Sequence, residues 1–175
     1  MPLFSSDKRF AGYWSDRIDG LFDAGVDYAK KSILDIGSNM GIVSYEIAKR
    51  SPSSIHGIDY HRPHVMVARY IFAGIPVPSR FDCARIGRSK LKLDDSYDIS
   101  LWLAVYLHVV RKYGEKQANA ACSRVLERCT STIVLADVDG TREAFMKLAG
   151  TFGFRLANVH ERSARSENLY VLRRD

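Results

Sequence analysis

The chain has 175 residues, 46% of them hydrophobic, enough for one domain around one core. Its apolar runs fall short of the ~20 residues that span a bilayer, and its three cysteines, Cys83, Cys122 and Cys129, form neither an even disulfide set nor a C-x-x-C metal or redox pair. The net charge of +6 biases the surface toward anionic partners, although the basic residues are dispersed through RIGRSKLK, RKYGEK, RVLER, ERSARS and VLRRD, as on an ordinary solvated surface, and form no nucleic-acid arm.

In chain order, hydrophobic periodicity predicts strands alternating with helices. Residues 12–28 place Trp14, Ile18, Leu21 and Phe22 on one helical face. The strand-like SILDIG is followed by a helix in GIVSYEIAKR and a strand in SIHGIDY. Next come a helix in PHVMVARYIFAG, the run VPSRFDCA and the apolar strand YDISLWLAV. A later helix aligns Ala118, Ala121, Cys122, Val125, Leu126 and Cys129 on one face, which makes both cysteines core residues. STIVLADVD, a helix in REAFMKLAGTFG and two strands, FRLANVHE and ENLYVLRR, complete the chain. Only the polar RSARS separates that last pair, so they are antiparallel, because a parallel return needs a crossover of a dozen or more residues. The alternation predicts a doubly wound α/β fold, a mostly parallel sheet covered on both faces. No repeat or linker divides it, so residues 1–175 read as one domain, with 1–30 a helical segment packing on or over the site.

The chemistry starts in the loop after the first strand, Asp35-Ile36-Gly37-Ser38-Asn39-Met40-Gly41. Gly37 and Gly41 allow a sharp turn and close backbone approach to a ligand, and Asn39 tolerates positive φ better than most residues. A dinucleotide site would show G-x-G-x-x-G aimed at a pyrophosphate. Here a carboxylate, Asp35, stands just before the first glycine and would repel phosphate and attract a cation.

This run resembles the first motif of class I S-adenosylmethionine-dependent methyltransferases, acidic-x-G-x-G-x-G, with Asn39 in place of the middle glycine. The resemblance implies a Rossmann-like methyltransferase fold, a seven-stranded sheet with an antiparallel last strand, and S-adenosyl-L-methionine as cofactor. It implies that Asp35, Gly37, Ser38, Asn39 and Gly41 form the cofactor loop. Asp59, ending the second strand, would accept both ribose hydroxyls, with Tyr60 beside it. Asp82, ending the third strand, would accept from the adenine amino group, with the Cys83 amide beside it. Trp102 in the fourth strand joins the expected cofactor contacts. Each acid alone also reads as a turn former or helix cap; three at successive strand ends point to the site.

The acceptor is less legible. No D/N-P-P-Y/F/W run follows the fourth strand, which lowers methylation of adenine, cytosine or glutamine amines. His108 lies where many relatives carry a histidine, and imidazole suits removal of a hydroxyl proton near neutral pH; its neighbours Leu107, Val109 and Val110 equally suit a packed histidine. Tyr13 and Trp14 could wall the pocket, although Trp14 is in phase with the apolar face. His61 and His64 lack further ligands for a metal site, so none is expected. The expected function is methyl transfer to an oxygen or nitrogen of a small-molecule or RNA acceptor. A non-catalytic accessory subunit with the same fold is the alternative, supported by Asn39 and the blank fourth-strand motif, and a nicotinamide oxidoreductase is disfavoured by the glycine spacing. The opening MPLFSSDKRFAG lacks a signal-peptide layout, so a cytoplasmic location is expected.

Overall fold

The computed structural model describes residues 18–88, 90–163 and 167–174. Seven strands, β1 (Ser32–Ile36), β2 (Ser54–Asp59), β3 (Ser79–Cys83), β4 (Tyr97–Leu103), β5 (Cys129–Ala136), β6 (Arg155–His160) and β7 (Leu169–Arg173), form one sheet in the order β3-β2-β1-β4-β5-β7-β6. All neighbouring pairs are parallel except those of β7, which runs antiparallel to both β5 and β6. Five helices connect them: α1 (Ile42–Ala48), α2 (Arg62–Phe72), α3 (Tyr106–Tyr113), α4 (Glu115–Leu126) and α5 (Thr141–Gly150). No helix among the described residues is long and apolar enough to cross a membrane.

Strand side chains alternate between faces, and both faces of the central strands are covered. Leu34, Ile36, Ile58, Trp102, Ile133 and Leu135 pack with α3, α4 and α5, whereas Ile33, Ile55, Ile99, Leu101, Val134 and Ala136 pack with α1, α2 and Leu21, Ala24 and Tyr28. This two-sided burial explains why β1, β4 and β5 read as nearly continuous apolar runs.

Three expectations change. The segment after Ile18 forms turns and bends rather than a helix to residue 28, with Gly20 and Gly25 at positive φ, which interrupts helical geometry. Tyr13 and Trp14 lie outside the described residues; residues 18–28 pack on the core and the β6–β7 edge, where the Ala24 carbonyl accepts from Asn158 Nδ2 at 3.0 Å. Second, the strand expected over YDISLWLAV ends at Leu103, and a separate helix, α3, begins at Tyr106 ahead of α4. Third, Cys129 opens β5 instead of ending the preceding helix, and is still fully buried beside Cys122 in the core.

Candidate active site

The strand order reverses between β1 and β4, and open α/β sheets bind ligands beyond the carboxyl ends of strands at such a point. Two cavities open there, of about 440 Å³ and 220 Å³. Gly37, Asn39, Leu103, Ala104 and His108 line both, so the loop after β1 and the turn after β4 form a shared ridge between them.

The loop is pinned from below. The amides of Gly37 and Ser38 donate to the Ile58 carbonyl at 2.8 and 3.0 Å, and the Gly41 amide to the Ser38 carbonyl at 2.8 Å. Gly37 has φ +74, and a Cβ there would lie 2.6 Å from Cγ2 of Val105, so the backbone seats directly against the β4 turn. Asn39 stands at φ 50, within the left-handed region asparagine tolerates, and its Oδ1 accepts the Met40 amide at 2.7 Å. Asparagine therefore does structurally what the missing middle glycine would do. Ala104 is also left-handed, φ 60, where an alanine is strained; its amide donates to the Ala136 carbonyl at 2.6 Å.

Asp59 is 8% exposed and lines the larger cavity. Its Oδ2 accepts the Asn39 amide at 2.9 Å and its Oδ1 the His61 amide at 2.7 Å. Each carboxylate oxygen has a second lone pair, so ligand hydroxyls can still be accepted. The same cavity offers Tyr60, 60% exposed, and an apolar wall of Ile58, Ala84, Ile86, Val105 and Val109. The smaller cavity is acidic, with Asp35, Asp137 and Glu167 against Arg162. Asp35 is buried and accepts the Ser44 hydroxyl at 2.6 Å. Asp137 braces the β4 turn by accepting the Leu107 amide at 3.1 Å. Ser38 Oγ is buried with no hydrogen-bond partner among the described residues, a loss that a ligand or water would recover. His108, exposed in the first turn of α3, faces both cavities.

The structure thus gathers Asp35, Gly37, Ser38, Asn39, Asp59, Tyr60 and His108 at the cavities. Gly41 sits below, in the turn that starts α1, where a Cβ would meet that of Ala68 at 3.0 Å; it shapes the loop without lining either cavity. Three expected cofactor contacts do not reach the cavity walls. Asp82 pairs in register with Ile58, one position short of the strand end, and its Oδ2 is taken by His56 Nε2 at 3.2 Å and Arg80 Nε at 3.3 Å. Cys83 pairs with Asp59 but is directed outward, its Sγ 3.6 Å from the Tyr60 carbonyl, and Ala84, Arg85 and Ile86 form the wall instead. Trp102 is fully buried, 4.9 Å between ring centroids from Phe145, with its indole N–H donating to Ser100 Oγ at 3.1 Å; β4 alternation turns it into the core. Leu103, Ala104, Val105, Leu107, Arg85, Ile86 and Lys112 escaped the sequence analysis because chain reversal after β4, which no glycine or proline marks, brings most of them in. Among the described residues no group of three or more histidine, cysteine or acidic side chains is arranged to hold a metal ion.

The chain matches the methyltransferase domain family model over residues 33–128, which spans β1 through α4. No curated protein matches it. Among solved structures, magnesium protoporphyrin IX methyltransferase from Synechocystis PCC 6803, with bound S-adenosylmethionine, superposes with a TM-score of 0.71 at 19% identity, covering 94% of this chain and 80% of that one. The cyclase SpnF gives 0.70 at 14% identity, covering 91% and 81%, and the bifunctional kinase-methyltransferase WbdD 0.64 at 18%, covering 95% and 39%. At these identities the superpositions establish a shared fold, and the family match carries the classification. The chain belongs to the methyltransferase domain family and is an S-adenosylmethionine-dependent methyltransferase of class I fold.

Proposed function

We propose that the adenosine half of S-adenosylmethionine lies in the larger cavity, that its methionine half crosses the Gly37–Asn39 ridge toward Asp35, and that the acceptor, a small molecule, approaches the methyl group along the wall at His108 that both cavities share. The observation that carries this arrangement is the opposite chemistry of the two spaces across one glycine ridge. The larger combines an exposed tyrosine and aliphatic side chains, suited to a flat ring, with a carboxylate suited to vicinal hydroxyls. The smaller concentrates carboxylates, suited to an ammonium and a sulfonium.

When bound, the cofactor supplies an electrophilic methyl group whose transfer depends chiefly on alignment with the acceptor atom. The chain's residues provide that alignment. Asp59 holds the ribose edge and, through its bond to the Asn39 amide, fixes the loop that carries it. Asp35 faces the ammonium. His108, on the wall common to both cavities, takes the proton from an acceptor hydroxyl or amine as the new bond forms. A small-molecule acceptor agrees with the confined space at that wall and with the Synechocystis neighbour, a magnesium protoporphyrin IX methyltransferase by its name.

Isothermal titration with S-adenosylhomocysteine tests the assignment. Saturable binding that weakens at least tenfold in Asp59→Asn, with the fold retained, supports it. No binding at millimolar ligand would sink the enzyme assignment and favour an accessory subunit that keeps the fold.

A further inference from the structure

The larger cavity carries charges the cofactor does not need. Arg85 and Lys112 line it, and Asp59 is its one acid among the described residues. S-adenosylmethionine has no phosphate, and its one carboxylate belongs to the methionine half placed across the ridge, so the adenosine half leaves these cations without an anionic partner from the cofactor. The Arg85 guanidinium lies over the Tyr60 ring, 4.9 Å from its centroid. Outside the cavity mouth the basic surface continues. The Gly87 backbone packs on Tyr113, where a Cβ would lie 2.9 Å from the ring, and Gln117 Nε2 donates to the Gly87 carbonyl at 2.8 Å. These contacts clasp the loop after β3 to the α3–α4 junction, so that the segment carrying exposed Arg88 meets the one carrying exposed Lys112 and Lys116. Glu115 is the acid at that junction. Cations in the last turn of α3 complement the helix dipole, but Arg85 and Arg88 come from the opposite wall and have no such role.

Resting on the cofactor arrangement above, we propose that the acceptor carries a phosphate group, held at the mouth of the larger cavity by Arg85, Arg88, Lys112 and Lys116. The helix sets the reach: His108 and Lys112 are four residues apart on one face of α3, on the order of 6 Å along its axis. An acceptor atom beside His108 and a phosphate on Lys112 are thus separated by about the length of a sugar. Guanidinium and ammonium groups at a concave rim suit phosphate oxygens, whether the phosphate belongs to a free metabolite or to a nucleic-acid strand.

The test titrates the full chain, with and without saturating S-adenosylhomocysteine, using inorganic pyrophosphate and a fluorescein-labelled single-stranded oligo-uridine as probes. Arg88→Glu combined with Lys116→Glu removes the outer cations without touching the cavity lining, and Lys147→Glu combined with Arg155→Glu, both exposed, controls for net charge. Pyrophosphate binding that falls tenfold or more in the double variant, with S-adenosylhomocysteine affinity unchanged, supports a free phosphorylated acceptor. Binding of the oligonucleotide alone, steeply weakened by salt and lost in the double variant, supports a nucleic-acid source of the phosphate. If neither probe binds the cofactor-product complex, or the double variant binds like the Lys147→Glu, Arg155→Glu control, the proposal is overturned. Failure of S-adenosylhomocysteine itself to bind would remove the cofactor assignment and this proposal with it.

Discussion

Asp59 accepts the backbone amide of Asn39, twenty residues earlier, at 2.9 Å. One carboxylate at the end of β2 therefore both faces the larger cavity and sets the height of the glycine loop that divides the site. Cavity lining and loop geometry are coupled through a single side chain.

That coupling predicts different outcomes for two substitutions. Asp59→Asn keeps an acceptor for one amide and loses the charge-assisted bonds to ribose; a loss of about 1.5–3 kcal/mol would weaken S-adenosylhomocysteine roughly ten- to hundredfold by titration calorimetry. Asp59→Ala also frees the amides of Asn39 and His61, so its melting temperature should fall below that of Asp59→Asn.

Gly37→Ala meets two obstacles, a left-handed φ of +74 and a 2.6 Å contact with Val105 Cγ2. A destabilisation of about 1–3 kcal/mol and loss of cofactor binding are expected. Adding Val105→Ala relieves the contact but not the φ, so chemical denaturation should show partial recovery only. Full recovery would mean that sterics alone keep a glycine here.

His108→Gln removes the proton acceptor at the wall shared by the cavities while preserving much of its size. Once an acceptor is in hand, kcat should fall by about 10²–10⁴, and S-adenosylhomocysteine affinity should stay within about twofold. Unchanged kcat would reassign His108 to the cavity wall.

His56 is buried between Tyr97, whose Oη lies 2.5 Å from Nδ1, and Asp82. Burial, reinforced by the Arg80 charge, lowers its pKa below the ordinary histidine value, against the opposing pull of Asp82 and Asp94. The unfolded chain then binds the extra proton first, so this group's contribution is complete above the unfolded histidine value near 6.5 and is lost as the pH falls through the lowered folded value. Urea denaturation from pH 7 to pH 5 should show declining stability, with a shallower decline in His56→Gln.

The thiols separate by location. Burial pushes Cys122 up to about 12 and raises Cys129 as well, whereas Cys83 is exposed. A thiolate-selective reagent at neutral pH should titrate one equivalent in the native chain, lost in Cys83→Ser, and all three of its cysteines after denaturation.

The order of strands and helices, the antiparallel last strand and the place of Asp35, Gly37, Asn39 and Asp59 at the strand ends are local matters. Alternation, a short closing loop and residues that tolerate positive φ are written in neighbouring positions, so the fold class and the glycine loop after β1 are legible in the amino-acid order alone. Tertiary structure decided which way the remaining side chains face. Register turns Asp82 one position short of the strand end and gives it to Arg80 and His56, and strand alternation buries Trp102 against Phe145. The turn at Ala104, held in a left-handed conformation no alanine advertises, sets His108 between two cavities. The segment after Ile18 turns at Gly20 instead of continuing as a helix. Periodicity reports which residues are apolar; only the sheet's register and the close seating of loop on turn decide which polar ones meet.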